Sequence, residues 1–293
     1  MDGVINIYKE ASWTSGDVVN KLKGVLHQKR IGHGGTLDPD AEGVLPILTG
    51  NATRLFDYIT AFKKTYVAGV RFGEITDTQD ASGTVLETRP VNIKNEDIIN
   101  ALKNFTGTIK QIPPMYSALH VNGQRLYDLA RKGEKVDLCP REVQVESIEI
   151  LSPLSNNECC LRITCGKGTY IRTVCHDLGI FLGCGAHMKT LLRESCAGLN
   201  IENAYKIKDI EEMVKNDDLS FLKPTDQAIS FMPRVNIRKS ALKKLENGNP
   251  IPVEFADSTV EGNVRIYSDN KFFGIAEKKE YMYFIKCMLG GNK

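Results

Sequence analysis

The segment from Arg30 to Ile47, RIGHGGTLDPDAEGVLPI, combines one histidine, a glycine pair and three acidic residues. Acids in such a loop can bind calcium, accompany a phosphate-binding loop, or react as a nucleophile or acid–base group. An EF-hand calcium loop beginning at Asp38 has acids and a glycine at its early positions but requires a bidentate glutamate at the twelfth. Thr49 occupies that position and two prolines stiffen the loop, so the sequence disfavours calcium binding.

A phosphate-binding loop is disfavoured by the residues that follow the glycine pair. Such a loop needs a lysine and a hydroxyl residue after its glycines, whereas Gly34 and Gly35 precede Thr-Leu-Asp-Pro. The remaining possibility is that Asp38 reacts, because Pro39 keeps it out of helical geometry and the glycines let a ligand approach the backbone. His33 lies beside them. Asp-Pro is also an ordinary turn, and the pattern by itself leaves both interpretations open.

Two helices are predicted among the elements that must position this segment. The first can be capped by Thr14 or Ser15, and apolar residues follow at helical spacing; they are Val18, Val19, Leu22, Val25 and Leu26. The second is NEDIINALKNFTG, with Asn95 as its cap and Gly107 as its stop. Its apolar residues are Ile98, Ile99, Leu102 and Phe105.

Strand patterns occupy much of the remaining chain. KTYVAGVRFGEITDTQDASG predicts a strand that runs into a turn, because Asp and Gly favour turns. REVQVESIEIL alternates as a strand does. CCLRITCGKGTYIRTVCHDLGIFLG predicts a strand, a glycine-rich turn and a helix, and the inner face of that helix holds Ile171, Val174, Cys175 and Leu178.

The 293 residues suffice for one large domain, or for a large domain with a small one. The pattern changes near Phe231–Pro233, where a short helix ending at Asn-Gly is followed by alternating segments with tight turns. We therefore predict one domain at 1–232 and a small, mainly β domain at 233–293. A charged segment bracketed by prolines, at about residues 111–142, is predicted to be an excursion from the core.

Composition narrows the class of protein. Hydrophobic residues make up 42% and charged residues 25%, as in ordinary soluble proteins. The N-terminus lacks the pattern of a secretory signal and no apolar run reaches membrane-spanning length, so we expect a cytoplasmic protein. The eight cysteines form no CxxC pair and are expected to be buried free thiols; no metal or cofactor is expected.

The net charge of +2 says little about a polyanionic partner. Basic residues nevertheless gather in KLKGVLHQKRIGHGG, FKKTY, NGQRLYDLARKGEK and GKGTYIR, together with glycine or tyrosine. This composition suits a surface that contacts the RNA backbone and stacks bases. A solvated charged face is the alternative interpretation.

Resemblance to a known family decides between these alternatives. GHGGTLDPDAEGVLPILTGNATRL resembles the signature of the TruB family of tRNA pseudouridine synthases, Gly-His-x-Gly-(Thr/Ala)-Leu-Asp-Pro followed by Gly-x-Leu-Pro. At Gly34 relatives more often have Thr or Val, a difference that removes no reactive group. Four further segments resemble, in the same order, the family's second motif, RNA-docking insertion, third catalytic motif and PUA domain: KTYVAGVRFGEITDTQDASG, QIPPMYSALHVNGQRLYDLARKG, CGKGTYIRTVCHDLGIFLGCGAHMKTLLR, and LENGNPI onward.

The resemblance implies an α/β pseudouridine synthase fold, with a mixed, mainly antiparallel central sheet, flanking helices and a small β-barrel-like PUA domain. It implies that uridine 55 in the T-loop of tRNA is isomerised to pseudouridine. That reaction breaks the glycosidic C–N bond of a flipped-out uridine, turns the base over and rejoins it through carbon, without a metal or cofactor. The expected partner is tRNA, and the chain is expected to act as a monomer with no obligate protein partner and no membrane.

The resemblance also assigns roles to individual residues. Asp38 is the nucleophile, although the sequence leaves open whether it attacks C1′, attacks C6 or removes the C2′ proton. Arg172 keeps Asp38 ionised and oriented. Tyr66 stacks on the flipped base, and its hydroxyl assists loss of the C5 proton. Tyr170 and Leu191 form walls of the pocket.

Binding roles follow in the same way. His33 fills the space that the extruded nucleotide leaves. Lys63 and Lys64 hold phosphates together with the insertion residues Arg125, Arg131 and Lys132. A non-catalytic RNA-binding module or tRNA-folding chaperone on the same scaffold is the alternative to an enzyme, as is a synthase within a guide-RNA particle. Asp38 and Arg172 together favour the active enzyme, and the short tail disfavours the particle.

Overall fold

The computed structural model describes residues 1–290 except Ala118, Asn122 and Lys135, and it leaves out five side chains of the insertion, those of His120, Arg125, Tyr127, Asp128 and Arg131. The strands are β1 (Gly3–Lys9), β2 (Ile31–His33), β3 (Glu42–Thr49), β4 (Lys64–Phe72), β5 (Glu74–Thr76), β6 (Val85–Thr88), β7 (Gly107–Gln111), β8 (His120–Val121), β9 (Gln124–Arg125), β10 (Arg141–Ser155), β11 (Glu158–Cys165), β12 (Ala186–Cys196), β13 (Leu199–Asn200), β14 (Leu222–Lys223), β15 (Arg234–Asn236), β16 (Ile251–Pro252), β17 (Gly262–Ser268), β18 (Lys271–Lys279) and β19 (Met282–Met288). The helices are α1 (Ser15–Val25), α2 (Phe56–Ala61), α3 (Asn95–Leu102), α4 (Leu126–Arg131), α5 (Ile171–Phe181), α6 (Ile207–Lys215), α7 (Thr225–Ala228) and α8 (Leu242–Glu246).

The chain divides into two compact units. The first unit comprises residues 1–38, 44–60 and 197–293, and the second comprises residues 39–43 and 61–196. The domain boundary near residue 233 stays a prediction.

The second unit is built on a mixed, mainly antiparallel sheet. Strand β12 pairs antiparallel with β4, and the antiparallel pairing continues through β11 and β10 to β7. The first two residues of β3 pair in parallel with β12. At that crossing Gly43 has a φ of +103°, and a Cβ there would lie 2.3 Å from the carbonyl oxygen of Arg193, so only glycine fits.

Alternation along β4 defines the two faces of this sheet. Buried residues alternate with half-buried ones from Lys64 to Phe72, which is the period of a strand with one face covered. Helix α5 packs against β4 and β12, and it buries the four residues predicted for its inner face. The covered face of the sheet is therefore the one that carries Tyr66.

The first unit contains the opening strand and helix. Strand β1 pairs with β14, and β2 pairs with β3 as an antiparallel hairpin. Helix α1 begins after Thr14, whose hydroxyl accepts from the Asp17 backbone N–H at 3.0 Å. The α1 residues Val18, Val19 and Leu22 are buried, as is Leu26, which caps the C-terminal end of α1. The structure thus confirms four of the five residues predicted for this face, and the fifth, Val25, is half-buried.

The C-terminal part of the first unit contains a five-stranded sheet, in the order β15, β17, β18, β19, β16. Its apolar core includes Val264, Ile266 and Tyr283. The predicted turn SDNK joins β17 to β18, and both of its central residues, Asp269 and Asn270, have positive φ. Asn and Asp adopt that conformation more readily than other non-glycine residues.

Three predicted details differ from the structure. Asn95 does not cap α3: Lys94 is the N-cap, and the Asn95 side chain instead accepts from the Leu154 backbone N–H at 2.7 Å. Ile99, predicted to be on the apolar face, is 51% exposed, because α3 is only two turns long and buries a narrower stripe. Cys139 is an exposed thiol, whereas six of the other seven cysteines are buried. Within the described residues, no helix combines the length and apolarity needed to cross a bilayer.

Candidate active site

Arg172 lies in the first turn of α5 and is a buried cation, with 5% of its surface exposed. Its Nη1 donates to the Thr78 carbonyl oxygen at 3.3 Å, and its Nη2 donates to the Tyr116 carbonyl oxygen at 2.8 Å. Its Nη1 also lies 3.5 Å from Asp80 Oδ2. A guanidinium held from several directions presents its remaining N–H groups in a fixed geometry.

Asp80 is a carboxylate that the sequence analysis missed. Its Oδ1 accepts from the Thr78 hydroxyl at 2.7 Å and from the backbone N–H and hydroxyl of Ser82 at 3.0 and 2.6 Å. These bonds hold the loop after β5 in one conformation and leave Oδ2 to contact Arg172. The predicted turn at TDTQDASG therefore positions a charged partner of Arg172.

Tyr170 is the residue that precedes α5, and its backbone is clamped by a buried side-chain amide. Gln111, at the end of β7, donates through Nε2 to the Tyr170 carbonyl oxygen at 3.2 Å and accepts through Oε1 from the Tyr170 N–H at 3.1 Å. The Gln111 amide thus supplies the hydrogen bonds that a neighbouring strand would otherwise give to this backbone. The start of α5, and Arg172 with it, is fixed relative to β7.

Tyr66, Leu191 and Arg193 occupy neighbouring strands. Tyr66 pairs directly with Arg193, and Leu191 pairs with Ala68. The Arg193 guanidinium, 1% exposed, donates a hydrogen bond to the Tyr66 hydroxyl. Burial raises the pKa of Tyr66 to about 12, and the charge of Arg193 opposes that rise. The Tyr66 phenol is therefore protonated at neutral pH.

Arg193 is the second residue that the sequence analysis missed. It stands two positions after Leu191 in β12, so both side chains point to the same face of the strand. This spacing was the available signal, since a pocket residue in a strand often has a second pocket residue two positions away. The second unit thus brings Tyr66, Tyr170, Arg172 and Leu191 to α5 and the sheet face that it covers.

The two predicted phosphate-binding lysines have different surroundings. Lys63 is exposed and its ammonium group lies 2.7 Å from the Glu146 carboxylate. Lys64 is 8% exposed and donates to the Phe62 carbonyl oxygen at 2.7 Å; burial, the largest cause, lowers its pKa. Their phosphate contacts stay predictions.

The insertion supplies the other predicted phosphate contacts. Lys132, just after α4, is exposed. The side chains of Arg125 and Arg131 lie outside the described residues.

Asp38 is the last residue of the opening segment of the first unit. The residue before it is anchored to α1: the Ser15 hydroxyl accepts from the Leu37 N–H at 3.0 Å and donates to the Leu37 carbonyl oxygen at 3.2 Å. His33 ends β2, where it pairs with Ile47 of β3. Both predicted residues therefore belong to backbone that neighbouring elements hold in place, and the pairing of Asp38 with Arg172 stays a prediction.

The fold matches that of a solved structure. The backbone is similar to a chain in the crystal structure of a Cbf5-Nop10-Gar1 complex, with a TM-score of 0.79 and 25% identity, covering 99% of this chain and 85% of that chain. This likeness confirms the predicted pseudouridine synthase fold.

Family models cover most of the sequence. Residues 23–171 match the TruB family pseudouridylate synthase N-terminal domain, residues 172–230 match the tRNA pseudouridylate synthase B C-terminal domain, and residues 233–281 match the C-terminal model of pseudouridine synthase II TruB. The chain belongs to the TruB family of pseudouridine synthases.

Curated relatives agree along almost the full length. A protein named tRNA pseudouridine synthase B from Streptococcus agalactiae is 41% identical over 94% of this chain and 95% of its own. Proteins of the same name from Clostridium kluyveri and Lachnoclostridium phytofermentans are 41% and 45% identical, covering 97% and 96% of this chain and 98% and 96% of their own.

Proposed function

We propose that this chain isomerises uridine 55 in the T-loop of tRNA to pseudouridine, with Asp38 as the nucleophile. The structural observation that carries the proposal is Arg172, a buried guanidinium held by Asp80 and two backbone carbonyls. A buried arginine beside a reacting carboxylate keeps that carboxylate ionised after the substrate has excluded water. The relatives named tRNA pseudouridine synthase B supply the substrate class.

The reaction conserves every atom of the nucleotide. The bond from C1′ to N1 breaks, the uracil ring turns over, and a bond forms from C1′ to C5; the C5 proton leaves and N1 gains a proton. Asp38 supplies the carboxylate that reacts with the flipped nucleotide, and Arg172 orients it. The isomerisation needs no oxidant and no energy-rich cosubstrate.

Tyr66 contributes its ring and a protonated hydroxyl. Its pKa of about 12 means that no phenolate is available at neutral pH, so the role we assign is stacking on the flipped base and hydrogen bonding, rather than action as an ionised base. Arg193 positions the hydroxyl. Tyr170 and Leu191 bound the space for the base, and His33 fills the space that the base vacates.

Binding of tRNA is assigned to the cationic residues. Lys63, Lys64 and the insertion contact phosphates, and residues 233–293 add backbone contacts. The chain acts alone, as a cytoplasmic monomer. Each phosphate contact should make the association constant fall more steeply as the salt concentration rises. Gel filtration of the free chain and of its tRNA complex tests whether the chain is a monomer.

The test of function is to incubate the protein with an unmodified T-arm hairpin and to map pseudouridine by chemical labelling. The expected result is one pseudouridine, at position 55. Asp38→Ala should abolish the product while it leaves hairpin binding largely intact. Asp40→Ala is a matched control, because Asp40 is an exposed acid of the same loop, and it should retain activity. Binding without product in the unchanged protein would favour the chaperone instead.

A further inference from the structure

A cavity of about 700 Å³ lies in the second unit, between α5 and the two ends of the insertion. One face of α5 lines it with Thr173, His176 and Asp177, which are three and four residues apart. The loop after β5 adds Gln79, whose Oε1 accepts from the Thr173 hydroxyl at 2.8 Å. None of these residues has a role in the reaction as proposed above.

Two of the α5 side chains have unused hydrogen-bonding capacity. Within the part of the chain that the structure describes, the Asp177 carboxylate makes no hydrogen bond or ion pair, and the buried Nδ1 of His176 has no partner. Burial raises the pKa of Asp177 to about 6 and lowers that of His176. At neutral pH the cavity therefore presents an ionised carboxylate and a neutral imidazole, and a carboxylate removed from water without a donor costs stability.

The charges around the cavity select a neutral ligand. Among the lining residues that the structure describes, Asp77, Asp137 and Asp177 face the cavity with one ammonium group, that of Lys110, so these residues disfavour a phosphate. Among the residues that the structure describes, no three histidine, cysteine or acidic side chains are grouped so that they could hold a metal ion. A ligand rich in N–H donors is the remaining complement to Asp177.

The walls of the cavity favour a flat ring. The segment Ile112–Met115 lines one side with two buried prolines, and Val136 and Leu138 line another. Apolar, rigid surfaces of this kind bind heteroaromatic rings, and a few polar groups then fix their orientation. Unpaired RNA bases are recognised in this way, by apolar contact on their faces and hydrogen bonds on their edges.

We propose that this cavity binds the guanine base of an unpaired nucleotide in the RNA loop that carries the target uridine. Guanine is the base that offers two adjacent donors, N1–H and the N2 amino group, to the two oxygens of Asp177. Adenine and cytosine place a ring acceptor beside their amino group, and uracil has a single N–H between two carbonyl groups. Adenine, cytosine or uracil would therefore leave one oxygen of the Asp177 carboxylate without a donor or facing a lone pair.

The position of the cavity fits a loop neighbour of the target. Thr173 directly follows Arg172, and Gln79 follows Thr78, whose carbonyl oxygen accepts from Arg172. A base in the cavity and a base reacting beside Arg172 would thus contact adjacent residues of both segments. The inference rests on the proposed function for its RNA, and it concerns a different nucleotide.

The experiment compares T-arm hairpins whose loop carries guanine with hairpins in which inosine replaces every loop guanine. Inosine lacks only the N2 amino group. For the unchanged full-length protein, the dissociation constant should rise about ten-fold with inosine, the effect of one hydrogen bond to a charged group. In Asp177→Asn, the guanine hairpin should bind about ten-fold more weakly, and inosine should cause no further loss. Asp137→Asn, a second acid of the same cavity, should keep the full inosine effect.

Equal binding of guanine and inosine hairpins to the unchanged protein overturns the inference, as does an inosine effect that persists in Asp177→Asn. Thermal unfolding near neutral pH adds an independent check: Asp177→Asn should melt no lower than the unchanged protein, and a lower melting temperature would reveal a protein partner for the carboxylate. Pseudouridine is assayed on the same hairpins. Product without an inosine effect refutes this inference alone, whereas an inosine effect without product refutes the proposed function alone.

Discussion

Asp80→Asn should slow the reaction by weakening the hold on Arg172. The variant keeps the size of the side chain and removes its charge. Arg172 Nη1 lies 3.5 Å from Asp80 Oδ2, and the two side chains are 6% and 17% exposed. At that separation and an effective dielectric constant of about 20, the ion pair amounts to roughly 5 kcal/mol.

Part of this interaction is replaced in the variant. The single asparagine oxygen can accept either from Arg172 or from Thr78 and Ser82, and the carbonyl oxygens of Thr78 and Tyr116 still hold Arg172. We therefore expect a net loss of about 1.5–2 kcal/mol, within the range for hydrogen bonds to charged groups. If this loss appears in full in the activation free energy, the single-turnover rate falls about ten- to thirty-fold.

The assay is the single-turnover rate of pseudouridine formation at saturating enzyme, with hairpin affinity measured separately. Glu87→Gln is the matched control, because it breaks another arginine–carboxylate pair, with Arg89, on an exposed hairpin. Exposed pairs contribute little, so this control should leave rate and affinity unchanged. A rate for Asp80→Asn within about two-fold of the unchanged protein would show that Asp80 does not position Arg172 for the reaction.

Three further predictions address other parts of the molecule. Gln111→Ala removes both hydrogen bonds that clamp Tyr170 and should lower the free energy of unfolding by about 1–3 kcal/mol in urea titrations; an unchanged midpoint would mean that water replaces the amide. The pH profile of the single-turnover rate should show no titration of Tyr66 near neutral pH, because the pKa of Tyr66 is about 12. A titration near neutral pH that disappears in Tyr66→Phe would contradict this. Deletion of residues 234–293 should weaken tRNA binding more than the single-turnover rate at saturating enzyme, and a collapse of that rate would contradict the role assigned to them.

The sequence was sufficient for features that depend on local pattern. The helix starting after Thr14, the strand at β4 and the helix α5 follow from apolar periodicity and capping, which involve neighbours within a few residues. The predicted Asn95 cap was wrong because local pattern does not include distant partners. The backbone N–H of Leu154, 59 positions away, donates to the Asn95 side chain that was expected to cap α3.

The site residues that the sequence did not predict depend on contacts between distant segments. Asp80 and Arg193 contact Arg172 and Tyr66 across large separations in the chain. No local pattern marks Asp80, and the spacing from Leu191 marks Arg193 only once Leu191 is assigned to the pocket. Gln111 lies 59 positions from the Tyr170 backbone that it clamps. Motif resemblance predicts the residues that react, whereas the residues that hold them need only a suitable shape and charge in the folded chain.

A buried cation can act on a bound anion even in a chain whose net charge is only +2. Arg172 is nearly inaccessible to water. It donates to the carbonyl oxygens of Thr78 and Tyr116, which carry no net charge, and the Asp80 carboxylate, 3.5 Å away, offsets part of its charge. Neutral acceptors satisfy hydrogen bonds without cancelling a cationic field, and the part of the Arg172 field that Asp80 does not offset is screened weakly by salt in a poorly solvated site. Contacts of exposed lysines with phosphate should therefore set the salt dependence of tRNA affinity. The field of Arg172 should act on the reacting anion whatever the salt concentration, so raising salt should weaken binding steeply while the single-turnover rate at saturating enzyme changes little. A rate that fell in step with affinity would place the important cations at the surface.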